Sequence, residues 1–585
     1  MARLRHANTG SGIIFFLSLL VVYSGKVTAI EISQGNLNGS FDTTVSYGQL
    51  YRVQNRDRNL IGIANGGTAR SVNGDDGDLN YDAGLVSNTF KFTSELDLST
   101  KSTGIFVRAF GFGDLEADNT SRTPLDDKAE RLVESNLVLR DAYLWHEFDI
   151  GKMPGEIRIG EQVVSWGEST FIQNSINTIN PVDVSSLRTP GAELREALVP
   201  VGLIFGSLGV TENISLEAYY QYDWEQTVID PTGSYFSVTD LLGDGGTFAV
   251  GSGQGSIIDY LNCPGACTPQ SSNGAPGNAR TATRAGNLEP GNGGEYGAAL
   301  RLFVPDLNDT EFGFYFLNYH SRLPIANAIV GAGGAAGNLT GTQYQLSYPE
   351  DIQLYGLSFN TQIGGIALQG EYSFRDGAPL QVDLTEILAA ALSPAGVSSQ
   401  LGTFAVGDFV QGHIERNVSQ LQMTATKVFG QVLKADQAVL ATEWAITHIH
   451  NMPSKTVLLL GSPGIYSSGN PNNAGALGHT LEELDNFPDS TSWGYRIAGR
   501  FEYNNALFGA VNLQPRFAWQ HDVSGITPGP GGNFLAGRKI ITLGLKALYL
   551  NQWEADLSYT NYLGDSRQNL LHDRDFLAFN IKYSF

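Results

Sequence analysis

The sequence predicts an all-β protein, a transmembrane antiparallel β-barrel of about 18 strands with short periplasmic turns and long extracellular loops. Three observations support this prediction. Many segments alternate between apolar and polar residues, as a strand with two different faces does. The connections between those segments are long and short in turn. The chain also begins with the features of an export signal.

The N-terminus, residues 1–29, has the layout of a secretory signal peptide. Arg3 and Arg5 precede the apolar run 12–22, and small residues follow at 27–29. An apolar run of about 11 residues is too short for a transmembrane helix, which needs roughly 20. We therefore expect export through the Sec pathway and a mature barrel of residues 30–585. An N-terminal membrane anchor is the alternative.

The end of the chain shows the alternation clearly. One face of its last segment carries only apolar residues, Leu577, Phe579, Ile581, Tyr583 and Phe585. The same alternation recurs in residues 90–98, 216–224, 493–503 and 553–559. Because successive side chains of a strand point to opposite faces, each of these segments presents one apolar and one mostly polar face.

The connections decide between a soluble and a membrane-spanning β-protein. The sequence predicts long connections at residues 55–86, 115–139, 170–200, 227–294, 323–350, 381–415 and 453–490. The strand that follows each long connection is predicted to end in a short turn. Aromatic residues near segment ends, such as Trp224 and Trp493, are typical of the girdles of an outer-membrane barrel. The alternative is a soluble β-protein of the periplasm or the exterior. A sheet that crosses lipid must close, because lipid offers no hydrogen-bond partner to a free edge.

Composition restricts the possible partners. The net charge of −23 argues against nucleic acid and against anionic membrane surfaces as partners. Charged residues make up 16% of the chain, and about 25% is usual in soluble proteins. The two cysteines, Cys263 and Cys267, predict one small disulfide-closed loop, since no further cysteine or histidine lies close enough to complete a metal site.

No pattern predicts an enzyme or a cofactor site. The nucleophile-elbow, zinc-protease and phosphate-loop motifs are missing from the sequence, and its closest pair of histidines, His448 and His450, has no evident third ligand. The acidic stretch 75–80 offers closely spaced oxygens that could bind a hard cation such as calcium. A solvated turn is the favoured interpretation, so we expect no metal site.

If the apolar faces meet lipid, the opposite faces line the lumen. The expected lining includes six cations, Arg301, Arg375, Arg496, Arg500, Arg516 and Lys546, and acids such as Glu371 and Glu502. A barrel of about 18 strands is too wide for side chains alone to fill. Two interpretations stay open. The cations form a ladder that attracts anions, or they pair with luminal acids and only solvate the wall.

The lumen wall of the N-terminal third looks more aromatic. Arg108 would cost about 2–4 kcal/mol at the lipid midplane, so its parity should face inward, together with Phe106, Phe110 and Phe112. Tyr143 and Trp145 share inward parity with Asp141 and Glu147. These residues predict either a path for hydrophobic solutes or a surface that packs beneath an inserted loop.

Residues 158–200 depart from the regular pattern. Glu161 shares parity with Ile157 and Ile159, so we expect a β-bulge near Gly160–Gln162. The long loop after it, 170–200, contains two X-Pro steps and a short helical stretch. We expect this loop to fold into the lumen as a constriction with Trp166 and Glu168 at its root; an outward surface loop is the alternative. A second short helix is expected near 383–393.

The same region resembles a large family of proteobacterial outer-membrane proteins catalogued as a domain of unknown function. The shared block consists of Arg158, Gly160, Gln162, Trp166, Gly167, Glu168, Asn177, Asn180, Pro181 and Asp183. The acidic residues 73–87 also resemble the first loop of that family. The resemblance extends over most of the mature chain.

The resemblance implies an outer-membrane protein of a Gram-negative bacterium that moves hydrophobic or amphipathic small molecules or lipids. Its implied partners are a periplasmic protein similar to lipoprotein-sorting proteins and an inner-membrane transporter of the resistance-nodulation-division (RND) type. The predicted fold adds outer-membrane lipid and the barrel-assembly machinery. The alternatives are a surface-binding or structural barrel with a plugged lumen and a general anion-preferring porin. The residues expected along the pore or substrate path are Phe106, Arg108, Phe110, Tyr143, Trp145, Arg158, Gln162, Trp166, Glu168, Arg301, Arg375, Arg496, Arg500 and Arg516.

Overall fold

The computed structural model describes residues 30–251, 253–257, 259, 280–333, 337–564 and 568–585. The predicted signal peptide, residues 1–29, lies outside the described residues, and so do Cys263 and Cys267 of the predicted disulfide. Most of the described chain forms one large antiparallel sheet.

Eighteen strands of this sheet form a closed barrel, as predicted. They are β1 (Leu37–Arg52), β2 (Gly84–Ser99), β3 (Thr103–Asp114), β4 (Ser135–Ile150), β5 (Met153–Gln162), β6 (Val201–Thr211), β7 (Ile214–Gln221), β8 (Glu295–Val304), β9 (Thr310–Tyr319), β10 (Ile352–Ile363), β11 (Ile366–Gln381), β12 (His413–Phe429), β13 (Gln437–Ile449), β14 (Thr491–Leu507), β15 (Val511–Ser524), β16 (Lys539–Tyr549), β17 (Trp553–Leu563) and β18 (Phe576–Ser584). Each strand pairs with the next, and β18 pairs with β1 from Thr44–Ser584 to Arg52–Phe576. This last pairing leaves the barrel without a free edge.

The connections alternate between short and long, as the sequence predicts. One end of the barrel, where β1 begins, holds the short turns at 100–102, 151–152, 212–213, 305–309, 364–365, 430–436, 508–510 and 550–552. The long loops at the other end are 53–83, 115–134, 163–200, 222–294, 320–351, 382–412, 450–490, 525–538 and 564–575. We call this second end the outer mouth.

An apolar band covers the outside of the barrel. Its exposed members on the strands include Leu139, Leu144, Ile159, Ile204, Leu216, Phe314, Leu357, Leu421, Leu543 and Leu557. Exposed aromatic residues lie near strand ends, among them Tyr220, Tyr296, Trp493, Tyr549 and Trp553. An outward band of this kind, flanked by aromatic residues, is what the hydrocarbon layer of a membrane covers.

Two local predictions were wrong. Trp224 does not belong to the aromatic girdle, because β7 ends at Gln221 and Trp224 packs in the loops, 4.9 Å from the ring of Tyr348. The bulge expected near Gly160–Gln162 does not form, because β5 pairs with β4 and β6 in unbroken register. Glu161 is exposed but lies one residue from the end of β5, at the rim of the barrel where an outward charge no longer meets the apolar band.

Short helices and a second sheet occupy the loops. The helices are Asp76–Asn80, Asp127–Val133, Val184–Arg188, Leu194–Ala197, Leu384–Ala391 and Pro471–Leu477, with single 3-10 turns at Ile63–Asn65, Ser393–Ala395 and Leu484–Asn486. The second sheet contains Phe248–Val250, Thr281–Arg284, Ile325–Ile329, Gln343–Ser347 and Phe409–Val410. A short strand, Ile30–Gln34, extends the barrel sheet beside the start of β1. None of the helices in the described part of the chain is long and apolar enough to cross a membrane.

Candidate functional site

The third loop of the outer mouth, residues 163–200, is tied to the inner wall of the barrel; we call it the inner segment. Glu443 of β13 accepts hydrogen bonds from three of its backbone N–H groups, those of Thr170 at 2.8 Å and of Phe171 and Ile172 at 2.7 Å. Glu371 of β11 accepts from the N–H groups of Glu168 and Ile176. These two carboxylates hold the first part of the inner segment.

The later part of the inner segment is tied to the opposite wall. Lys91 of β2 donates to Glu196 at 2.8 Å, and Lys582 of β18 donates to Glu193 at 2.7 Å. Because β2 and β11 are nine strands apart in a barrel of eighteen, their side chains face each other across the lumen. A segment that contacts both must run across the lumen.

One part of the lumen wall is apolar, and the inner segment packs against it. Ile176 and Ile179, both with no exposed surface, contact inward residues of β6 to β10. Those inward residues include Leu203, Phe205, Tyr219, Tyr315, Leu317 and Leu354. Burying each large apolar side chain stabilises the folded state by about 1.5–3 kcal/mol, so this contact also holds the segment in place.

The residues of the family block hold this arrangement. Trp166 is 1% exposed, donates from Nε1 to Glu217 at 2.6 Å, and packs edge-on against Tyr219. A Cβ atom at Gly297 would come within 2.9 Å of the Trp166 ring, so glycine makes room for it. At Gly167 the backbone has φ of +91°, and a Cβ atom there would lie 2.5 Å from the Glu371 carboxylate.

Asn180 joins the two ends of the inner segment. Its Oδ1 accepts from the N–H of Val164 at 2.8 Å, and its Nδ2 donates to the carbonyls of Gln162 at 3.1 Å and Val199 at 3.0 Å. Gln162 is itself fully buried and donates to the carbonyl of Leu203 at 3.1 Å. Gln162 and Trp166 therefore position the segment and do not face open space in this structure.

The predicted aromatic wall is covered by guanidinium groups. Arg108 pairs with Glu95 at 2.7 Å and Asp141 at 2.6 Å, and its guanidinium lies 5.2 Å from the ring of Phe106. The ring of Phe106 in turn contacts that of Tyr143. A Cβ atom at Gly104 would lie 2.6 Å from the ring of Trp145 on the neighbouring strand. Arginine over an aromatic face is a favourable contact.

Phe110 and Arg158 complete that wall. Phe110 is 1% exposed and lies beneath Arg140, which pairs with Asp183 of the inner segment at 3.0 Å. The Arg158 guanidinium lies 4.3 Å from the ring of Phe205 and pairs with Glu156. Phe110 is thus part of the packing under the inner segment.

Most of the predicted luminal cations are paired with acids. Arg301 pairs with Glu217 and Glu311, Arg496 with Asp522, Arg500 with Glu502, Arg516 with Asp556, and Lys546 with Glu554. Arg375 differs, because it has no carboxylate partner among the described residues and lies against Tyr319. Glu168 accepts from Asn360 and Gln369, each at 3.3 Å. The paired cations leave little free charge to attract anions.

A cavity of about 960 Å³ lies between the inner segment and the loops of the outer mouth. Its walls are mostly apolar and come from the inner segment, from several loops and from strand ends, including Ile172, Leu198, Leu241, Leu339, Leu380, Leu388 and Ile449. Of the predicted path residues, Arg375 lines this cavity and the others do not. No local sequence pattern marks it, since its wall is assembled from parts of the chain more than 100 residues apart.

The family described as proteins of unknown function, DUF1302, matches residues 12–585 of the chain. The chain belongs to this family. No curated protein matches it.

Several solved structures are similar to this DUF1302 chain. OccAB3 of Acinetobacter baumannii is 11% identical, with a TM-score of 0.41 over 94% of this chain and 99% of that one. OccK2 (OpdF) of Pseudomonas aeruginosa, solved with glucuronate, is 9% identical, with a TM-score of 0.37 over 94% and 98%. OpdK of the same organism, solved with vanillate, is 8% identical, with a TM-score of 0.39 over 94% and 98%.

Proposed function

We propose that this protein is an outer-membrane channel for hydrophobic or amphipathic small molecules or lipids, with the inner segment as its constriction. The closed barrel and its outward apolar band support a place in the outer membrane of a Gram-negative cell. The signal peptide predicted at residues 1–29 supports export through the Sec pathway. The observation that carries the proposal is the apolar cavity of about 960 Å³ above the inner segment.

The chemistry of the cavity selects the solute class. An apolar wall favours solutes that gain about 25 cal/mol for each Å² of apolar surface removed from water, whereas a sugar would lose hydrogen bonds to water there. Arg375 supplies a cation at the cavity wall without a carboxylate partner among the described residues. An amphipathic molecule with an acidic head group would satisfy both features.

The proposed role includes partners at the periplasmic end. A poorly soluble solute needs a carrier in the aqueous periplasm, which suits a protein similar to lipoprotein-sorting proteins. An inner-membrane transporter of the RND type would supply the energy for directed movement. The family resemblance supports both, and pull-down of the two proteins with the tagged barrel tests them.

Single-channel recording with blockers tests the proposed solute class. We expect a long-chain alkyl carboxylate to block the wild-type current at concentrations where a sugar has no effect. Leu388→Gln, in the cavity wall, should weaken that block, because a buried amide in the wall costs free energy when the alkyl chain binds.

Leu481→Gln serves as the matched control, because Leu481 is 53% exposed and does not line the cavity. Equal block by the sugar and the alkyl carboxylate would contradict the proposed solute class. A barrel that carries no current in any form would favour a plugged, surface-binding protein instead.

A further inference from the structure

Four aspartates of the outer loops meet in the structure. Asp75 and Asp76 belong to the first loop, 53–83, and Asp240 and Asp259 belong to the fourth, 222–294. One carboxylate oxygen from each of Asp75, Asp76 and Asp259 lies within 4.8 Å of the others. Asp76, Asp240 and Asp259 also line a cavity of about 260 Å³. The acidic stretch 75–80 noted in the sequence is therefore half of a larger cluster.

The carboxylate of Asp240 has no hydrogen-bond partner among the described residues that would explain its burial. Both of its carboxylate oxygens are buried, and neither is hydrogen-bonded among the described residues. The N–H of Asp76 approaches this carboxylate without reaching hydrogen-bonding geometry. An ionised carboxylate buried without a partner is costly, so such a group is normally paired with a cation or bound to a metal ion.

The surrounding groups supply too little positive charge. Arg122 donates to Asp259 at 3.1 Å and lies 3.8 Å from Asp76. Neutral donors complete the contacts, with Asn65 donating to Asp75 at 2.9 Å and Thr123 to Asp76 at 2.9 Å. Within the described part of the chain, one guanidinium therefore faces four carboxylates.

Burial acts on all four acids, and repulsion from neighbouring aspartates adds to it at Asp75, Asp76 and Asp240. Burial, with repulsion from Asp259, raises the pKa of Asp76 to about 6. The same causes raise the pKa of Asp75, and burial with repulsion from Asp75, Asp76 and Asp259 raises that of Asp240. These shifts agree with the geometry, which shows an excess of buried negative charge.

We propose that Asp76, Asp240 and Asp259, supported by Asp75, bind a calcium ion that fastens the first outer loop to the fourth. Calcium takes six to eight oxygen ligands at roughly 2.3–2.6 Å with flexible geometry. The cavity offers carboxylates together with the polar side chains of Asn73, Thr232 and Thr247, and it has room for water. Magnesium is smaller, demands near-ideal octahedral geometry and gives up its waters reluctantly, so a site rich in carboxylates should prefer calcium.

Because the site lies in the outer loops, it needs only a modest affinity for calcium. Extracellular calcium modules work at dissociation constants of roughly 10⁻⁴–10⁻³ M. The site lies in the loops of the outer mouth, and two residues of its cavity, Val72 and Asn73, also line the large cavity. Calcium would therefore stabilise the wall of the proposed solute site without touching the solute.

Terbium luminescence and limited proteolysis of the full-length protein in detergent test this proposal. After chelator treatment, we expect terbium to bind and be excited through the half-buried Tyr466, whose hydroxyl lies 3.2 Å from the Cβ position of Gly74, two residues before Asp76. Calcium should displace terbium and protect the outer loops from protease, and magnesium at the same concentration should do neither.

Two variants make the test specific. Asp240→Asn should raise the calcium concentration for half-maximal protection by about tenfold or more, because the charge of the ligands sets affinity. Asp82→Asn is the matched control, since its side chain is 77% exposed in the same loop, and it should behave as wild type. The proposal is overturned if wild-type protein neither binds terbium nor responds to millimolar calcium, or if Asp240→Asn responds as wild type does.

Discussion

At the scale of single residues, Glu443 accepts three hydrogen bonds from the backbone of the inner segment, and the sequence did not single it out. Its side chain is buried and accepts from three consecutive backbone N–H groups, at 170–172, and from the hydroxyl of Thr424. A hydrogen bond to a charged group contributes about 1.5–3 kcal/mol. This cluster therefore ties the inner segment to the wall of β13.

Glu443→Ala should loosen the constriction. The change leaves three backbone amides without their acceptor, at a cost of roughly 1–3 kcal/mol for each that stays buried. We expect single-channel recordings to show more frequent transitions and a higher mean conductance than wild type.

Glu554→Ala is the control for this change. Glu554 pairs with Lys546 on the neighbouring strand, and none of its contacts in the described residues involves the inner segment. Its conductance should match that of wild type. Identical recordings from Glu443→Ala and wild type would argue against a constriction held by this carboxylate.

Substitutions of Arg375 test whether the cavity prefers solutes with an acidic head group. Arg375→Gln should weaken block by an alkyl carboxylate by about tenfold, since the hydrogen bond lost is one to a charged group. Block by an alkyl alcohol of the same length should stay within about twofold, and Arg375→Lys should recover part of the carboxylate block. Equal weakening for both blockers would show that Arg375 supports the wall and does not bind a head group.

Residue orientation could be predicted from the sequence most securely where charged residues alternated with apolar ones. Arg108 and Arg301 both lie in ion pairs on the inner side, because no charged residue is tolerated in the apolar band. Leu317 and Leu354 also point inward, although the alternation rule assigns apolar residues to the lipid face. They do so because Ile176 and Ile179, more than 130 residues away, cover them. A pattern of neighbouring residues in the sequence cannot predict a contact between such distant parts of the chain.

At the scale of elements, the helix Leu384–Ala391 contains a built-in dependence on pH. Asp383 caps it, with Oδ1 accepting from the N–H of Thr385 at 2.9 Å. Burial raises the pKa of this carboxyl from 3.8 to about 7. Between about pH 4 and pH 7 the folded loop thus holds one proton more than the unfolded loop. This contribution to stability is complete below about pH 4 and is lost as the pH rises through 7.

Amide exchange of residues 384–391 checks this dependence. After correction for intrinsic rates, wild-type protection factors should fall between pH 5 and pH 8. Asp383→Asn cannot ionise and keeps an oxygen acceptor, so its protection should stay level over that range and exceed the wild-type value at pH 8.

Asp126→Asn is the control, because Asp126 caps the helix Asp127–Val133 at a more exposed position. Its exchange should show the same pH dependence as wild type in residues 384–391. A wild-type helix whose protection rises from pH 5 to pH 8 would contradict the sign of the effect.

The sequence was most informative about the positions of the strands and of the helix at 384–391. Period-two alternation located the strands, and the helix at 384–391 lies within the range expected from its spacing and its aspartate cap. The two wrong predictions concerned residues at the ends of strands. The end of β7 at Gln221 removed Trp224 from the girdle, and the position of Glu161 beside the end of β5 made a bulge unnecessary. Strand ends depend on where the loops fold, which alternation does not encode.

At the scale of the whole molecule, the barrel differs from an open pore of the same strand number. Its lumen is crossed by the inner segment, which is bound to one wall by apolar packing and to the others by carboxylates and ion pairs. The sequence predicted a loop folded into the lumen but not its attachment points. Glu371, Glu443, Lys91 and Lys582 carry no pattern that connects them with residues 163–200. The cavity and the four aspartates arise in the same way, from loops that are distant in the chain.

The central claim is that the inner segment restricts the pore. The conductance of the barrel with and without the middle of this segment tests that claim most directly. Replacing residues 172–196 by a short Gly-Ser linker removes the apolar contact of Ile176 and Ile179 and the ion pairs of Glu193 and Glu196. Heat-modifiable migration on a gel checks that the altered barrel has folded. We predict a larger and steadier single-channel current than that of wild type, and an unchanged current from the folded variant would contradict the account.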